Sequence, residues 1–189
     1  MRCFLAVPLP SAILEAIADL QRSLRPHVPD LRWVRPEGMH LTILFLGEID
    51  PEAASPLLAD LAAGSADLSP GSASLRGLGL FPVRGRPRVL WIGVEEEGPP
   101  TLAPLHRAAL AAARSRGWQV EDRGYRPHVT LARARGPLGR RSVEAGIGGQ
   151  RDVELGSVPL ERCILYRSIL GPGGARHEEL GAVRLGAAA

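Results

Sequence analysis

The feature that most constrains this chain is an internal echo. A strand, a helix, an extended piece and a second strand run over residues 4–46, and the same order returns over 89–134. Each unit reaches an Arg-Pro pair, Arg35-Pro36 or Arg126-Pro127, then a His-x-Thr strand, and closes at a glycine, Gly47 or Gly136. Two copies of such length do not make a solenoid. They predict one α+β domain spanning residues 1–189, with repeat units at about 4–47 and 89–136. The expected architecture is bilobal with pseudo-two-fold symmetry: two antiparallel sheets flank a central groove, with helices outside.

The paired segments are His40-Leu41-Thr42-Ile43 and His128-Val129-Thr130-Leu131. The chain holds 5 histidines and only three threonines, Thr42, Thr101 and Thr130. Random placement of that composition gives roughly 0.08 His-x-Thr triplets (5 × 3/189). Side chains at i and i+2 of a strand share a face. His40 and Thr42 therefore look one way while Leu41 and Ile43 enter the core, and His128 and Thr130 do the same above Val129 and Leu131. Opposed across a groove, two imidazoles can divide acid and base work, each proton transfer contributing about 10²–10⁴ in rate. Two hydroxyls are neutral donors suited to non-bridging phosphate oxygens. Arg133 stands three residues past Thr130, which in an unbroken strand is the opposite face. It reaches the groove only if the strand twists or bulges.

Composition narrows the chemistry. All 23 residues counted as Lys plus Arg are arginine, and the chain has neither lysine nor asparagine. Schiff-base, adenylyl-lysine and P-loop chemistry are excluded, and codon bias is the simplest origin. Every strong cation is a guanidinium suited to phosphate. The net charge of +3 permits a polyanionic partner without demanding one. Cys3 and Cys163, far apart in apolar runs, read as buried free thiols in a reducing compartment. No stretch suits a signal peptide or a membrane span, which leads us to expect a cytoplasmic protein.

Phosphoester chemistry by acid–base catalysis without metal fits this set, and at this point a family comes into view. HLTILFLG and YRPHVTLAR resemble the two HxTx motifs of the two-histidine phosphoesterases. The likeness continues in FLAVPLP, RWVRPEGMHLT, GLGLFPVRGRPRVLWIGV and LYRSILGPGGARHEEL, and is closest to the RNA 2′,3′-cyclic phosphodiesterases, also called 2′-5′ RNA ligases. The resemblance implies hydrolysis of RNA 2′,3′-cyclic phosphate ends to 2′-phosphates with no metal or cofactor. It makes His40 the proton donor to the departing O3′ and His128 the acceptor from water. Thr42, Thr130 and Arg133 match its phosphate-binding positions. His177 departs from it, since relatives often carry tyrosine there, so no stacking or hydroxyl role transfers to that position.

Alternatives remain open at this level. The same site would serve reversible ATP-independent 2′-5′ ligation or small cyclic nucleotides, and a non-catalytic RNA-binding module is the rival of another class. Arg126 and Tyr125 are candidate substrate contacts, Tyr125 by stacking a base. Arg84, Arg86 and Arg88 read either as a solvated basic edge or as contacts to RNA phosphates. Arg123, Arg135, Arg140 and Arg141 crowd the second motif with the same ambiguity. His27 and His106 read as surface or packed histidines, Trp33 and Trp118 as core, and Glu95–Glu97 as a solvated turn. Residues 137–149 read as loop with one helical turn, and the last three alanines as frayed. The expected partner is RNA ending in a 2′,3′-cyclic phosphate, met by a monomer.

Overall fold

A computed structural model describes residues 1–122, 124–171 and 174–186. Strand β1 (Arg2–Pro8) opens the chain, and its alternate residues Cys3, Leu5 and Val7 enter the core. Helix α1 (Ser11–Leu24) follows, burying Ile13, Ile17, Leu20 and Leu24 at the spacing of one helical face. Then come β2 (Leu31–Trp33), β3 (His40–Glu48), α2 (Ala54–Gly64), β4 (Gly71–Phe81), β5 (Val89–Glu97), α3 (Leu102–Arg114) and β6 (His128–Ala134). The chain ends with α4 (Arg140–Ile147), β7 (Glu154–Leu160), β8 (Arg162–Gly171) and β9 (Gly174–Arg184). The strands form two antiparallel sheets, β3-β1-β8-β9 and β2-β6-β5-β4-β7. This is the expected bilobal α+β architecture.

The strand registers make the duplication concrete. In the first sheet Ala6 faces Thr42 and Pro8 faces His40. In the second, Trp91 faces Thr130 and Gly93 faces His128. Each pairing then slips by one residue at the same offset past the motif. Leu5 pairs with Leu44, leaving Ile43 unpaired, and Leu90 pairs with Ala132, leaving Leu131 unpaired. A bulge of this kind re-aims every later side chain. Beyond it, Phe45 and Arg133 return to the face that carries the histidine and threonine.

The halves are interlocked. β2, which follows α1 of the first unit, pairs with β6 of the second sheet, Leu31 against Ala134 and Trp33 against Ala132. α1 packs against β7 in the second sheet. Its buried Gln21 donates to the carbonyls of Val34 and Leu131. α2 and α3 pack on each other and on β9 and β3 of the first sheet. Leu5, Leu41, Leu75, Leu90, Leu105 and Leu131 are among the fully buried side chains between sheets and helices.

Two local expectations change. Residues 137–149 contain a two-turn helix, α4, whose Val143 and Ile147 are buried. Its length shows only when Val143 and Ile147, four apart, find a core to enter. Glu95–Glu97 is the end of β5 and not a solvated turn. The Glu96 carboxylate accepts the Thr101 and Leu102 backbone N–H groups, satisfying orphan donors at the start of α3. Glu97 accepts from Ser72 and Ser74 of β4. Arg123 and the alanines at 187–189 lie outside the described residues.

Candidate active site

The strand geometry that sets the two motifs also fixes their histidines. His40 Nδ1 donates to the Gly38 carbonyl at 3.1 Å. His128 Nδ1 donates to the Arg126 carbonyl at 2.7 Å. In both copies the acceptor lies two residues back along the chain. A carbonyl only accepts, so Nδ1 carries hydrogen in each ring and Nε2 is the nitrogen left for chemistry. Thr42 and Thr130 sit half-buried beside their histidines on the same faces. β3 and β6 lie against each other where the two sheets meet, which brings the two motif strands together.

The bulge at Leu131 decides the place of Arg133. Its positive charge adds the smallest of the influences on His40 and His128, lowering the proton affinity of both. Its equivalent in the first sheet is Phe45, 61% exposed. Both halves thus carry an imidazole and a hydroxyl, whereas at the position after the bulge one has an arginine and the other a phenylalanine.

Each histidine rests on aromatic neighbours. Phe4 stacks on His40 with centroids 4.4 Å apart, and His177 meets His40 edge-on at 5.1 Å. Tyr166 lies 5.4 Å from Phe4. On the other side Phe81 meets His128 edge-on at 5.0 Å, and Trp91 lies 6.1 Å from it. Trp91 lies flat because Gly79 beneath it has no side chain: a Cβ there would sit 2.1 Å from Trp91 Cζ2. Burial pushes His40 down to about 4, helped by His177 and Arg133 and opposed by the Gly38 carbonyl. His128 is also lowered, by burial and by Arg133, against the pull of the Arg126 carbonyl. Both rings are therefore neutral at neutral pH in the free protein, and an anion in the groove is what would draw a proton onto one of them.

The remaining candidates fall in different places. Tyr125 stacks on His106 of α3 at 4.5 Å and 11°, and its hydroxyl donates to the Thr42 backbone carbonyl at 3.3 Å. Ring and hydroxyl are thus engaged within the protein. Burial pushes that hydroxyl strongly up and the His106 imidazole down. Arg126 is exposed, with its backbone carbonyl, rather than its guanidinium, holding His128. Arg140 ties α4 to the β4–β5 connection through the carbonyls of Pro82 and Gly85. Arg84, Arg86, Arg88, Arg135 and Arg141 are exposed. Trp33 and Trp118 pack against the core, and Cys3 and Cys163 are buried and unpaired. Two concavities, one lined by residues of 148–153 and the other by residues of 27–31 and 137–143, contain none of the site residues. No group of three His, Cys, Asp or Glu among the described residues is placed to hold a metal. Likewise no described helix is long and apolar enough to cross a membrane. Sequence reasoning missed Phe4, Phe81 and Trp91 as walls of the site and His177 as a neighbour of His40. Only strand register brings them there.

The signature of the LigT like phosphoesterases matches residues 7–91. The RNA 2′,3′-cyclic phosphodiesterase of Methanothermobacter thermautotrophicus is 31% identical over 188 residues, 98% of this chain and 99% of that protein. The protein of the same name from Thermus thermophilus is 40% identical over 147 residues, 74% of this chain and 72% of that one. The match to the Geobacillus stearothermophilus protein, 38% identical, covers 69% of this chain and 41% of the longer relative. Among solved structures, TT0787 of Thermus thermophilus superposes with a TM-score of 0.79 at 31% identity, covering 98% of both chains. LigT of E. coli in complex with 3′-AMP gives 0.71 at 26% identity, with 97% of each chain covered. Two histidine strands, their duplicated bulges and the likenesses that span nearly the whole chain agree: the chain belongs to the LigT-like phosphoesterases, the family of the RNA 2′,3′-cyclic phosphodiesterases.

Proposed function

We propose that this protein hydrolyses RNA 2′,3′-cyclic phosphate ends to 2′-phosphates by two-histidine acid–base catalysis without a metal. The observation that carries the reading is the pair of His-x-Thr strands in contact where the two sheets meet, each imidazole held through Nδ1 by a carbonyl two residues back. One anionic group bound by Arg133 would stand between two imidazoles that each offer Nε2. The names of the relatives, RNA 2′,3′-cyclic phosphodiesterases, supply the substrate class.

In this mechanism Arg133, Thr42 and Thr130 bind the non-bridging oxygens of the cyclic phosphate. Neutral His128, its Nδ1–H held by the Arg126 carbonyl, takes a proton from water at Nε2 as the water oxygen bonds to phosphorus. The P–O3′ bond breaks, and His40 gives O3′ the proton from its Nε2. His40 must be an imidazolium to do so, and the Gly38 carbonyl together with the bound phosphate supplies the stabilisation that burial removes. Tyr125 serves indirectly by bonding the Thr42 backbone, and exposed Arg126 offers a cation at the rim. Two buried unpaired thiols suit a reducing compartment.

The test is an RNA oligomer ending in a 2′,3′-cyclic phosphate, incubated with protein and excess EDTA. A 2′-phosphate product is expected, and His40→Ala and His128→Ala should each lower kcat by at least ~10². Turnover that vanishes on chelation overturns the metal-free mechanism. Near-wild-type rate in either variant overturns the acid–base pair, and no turnover at all leaves an RNA-binding module.

A further inference from the structure

Both halves of the site carry a histidine, a threonine and a bulge at the same offset, but a third imidazole stands in the first half. His177 lies on β9 opposite Ser168 of β8. It meets His40 edge-on, planes 88° apart, and Phe4 in the same manner at 4.9 Å. Among the described residues the second sheet has no counterpart: β7, the strand equivalent to β9, pairs with β4 only from Gly71 to Arg76 and stops short of Phe81. The Gly38 carbonyl that accepts from His40 also favours the charged form of His177. His177 Nε2 comes within 4.0 Å of where a Gly38 Cβ would stand. Its other nitrogen, Nδ1, is buried with no hydrogen-bond partner among the described residues.

We propose that His177 is a positioning residue for His40, bracing the edge of its ring, so that the pair holds one proton at a time. Two imidazoliums with ring centroids 5.1 Å apart repel each other in a partly desolvated place. A proton gained by His40 therefore forces His177 to stay neutral, and His40 holds its proton weakly enough to pass it on. The groups facing His40 are His177 from β9, Tyr166 from β8 and Arg133 from β6, with the Gly38 carbonyl beneath and uncharged Phe4 on its face. Those facing His177 are His40, Tyr166 and the Gly38 carbonyl. Glu179 pairs with Tyr166 two residues further along β9, and Arg35 reaches Gly174 at its start. The meaning of His40's proton rests on the proposed reaction; the coupling of the two rings does not.

The experiment is an NMR titration of the imidazole signals in substrate-free protein, for the wild type, His177→Gln and His177→Phe. Glutamine keeps a polar group that can reach Gly38, and phenylalanine keeps the aromatic edge; neither carries charge. The His40 midpoint should rise toward the ordinary imidazole value by about half a pH unit or more in whichever variant folds, while that of His128 stays in place. The limb of the kcat/KM profile that follows His40 should move with it. A His40 midpoint unmoved in the folded variants, with or without a loss of rate, overturns the proposal. Because the titration needs no substrate, inactivity toward cyclic-phosphate RNA would count against the reaction alone.

Discussion

At the scale of single residues, the site spends folding stability to keep its imidazoles neutral. His40 falls from the ordinary 6.5 to about 4, so between those pH values the unfolded chain binds a proton that the folded chain refuses. Stability therefore drops as pH falls through that window, with His40 contributing about 2–3 kcal/mol over the whole range. His106, His128 and His177 are lowered as well and act with the same sign. Urea midpoints measured from pH 4 to pH 7 should show a shallower fall for His40→Gln than for the wild type. Parallel curves would mean that His40 titrates normally in the folded protein. The pairing of each histidine with its threonine was legible from period-2 spacing alone. The carbonyl two residues back was not, because Gly38 closes a short 3-10 turn while Arg126 leads straight into β6.

At the scale of elements, register decides what spacing leaves open. A regular strand would turn Arg133 away from His128, and it is the unpaired Leu131, slipped against β5, that turns it back. Such a slip depends on a partner strand some forty residues away in sequence, so no local pattern announces it. The same holds for β2, whose three residues read correctly as extended but pair with the sheet of the other half. The second histidine rests on a floor of the same non-local kind, Trp91 over Gly79. Gly79→Ala puts a methyl into the indole, since the nearest Trp91 atom would be 2.1 Å from the new carbon. We expect a loss of about 1–3 kcal/mol in denaturant stability, the range for overpacking. A fall in kcat/KM should accompany it as Trp91 is lifted toward His128. A variant with unchanged stability and rate would show that the indole has room to slide.

At the scale of the molecule, the two sheets carry their histidines and threonines symmetrically and their arginines asymmetrically. Arg133 lies on the second sheet, and the connection after β4 of that sheet bears Arg84, Arg86 and Arg88, all exposed. It starts directly after Phe81, the ring beside His128. Arg140 pins it to α4, so those arginines stand on a braced loop. If an RNA strand leaves the groove on that side, removing the three should weaken binding and flatten its salt dependence. Each lost phosphate contact is worth roughly 0.7 units of log slope on single-stranded nucleic acid. An unchanged slope returns the loop to an ordinary solvated edge. The first sheet, meanwhile, is closed by strands from opposite ends of the sequence: β1 pairs with β8, while β4 to β7 of the second sheet come from the middle. On the ribosome, the lobe of His128 has all its strands before residue 162 emerges, whereas β1 and β3 must wait for β8 and β9. The histidine made first, His40, thus gains its complete sheet last, and a nascent chain carries both motifs well before it carries an enzyme.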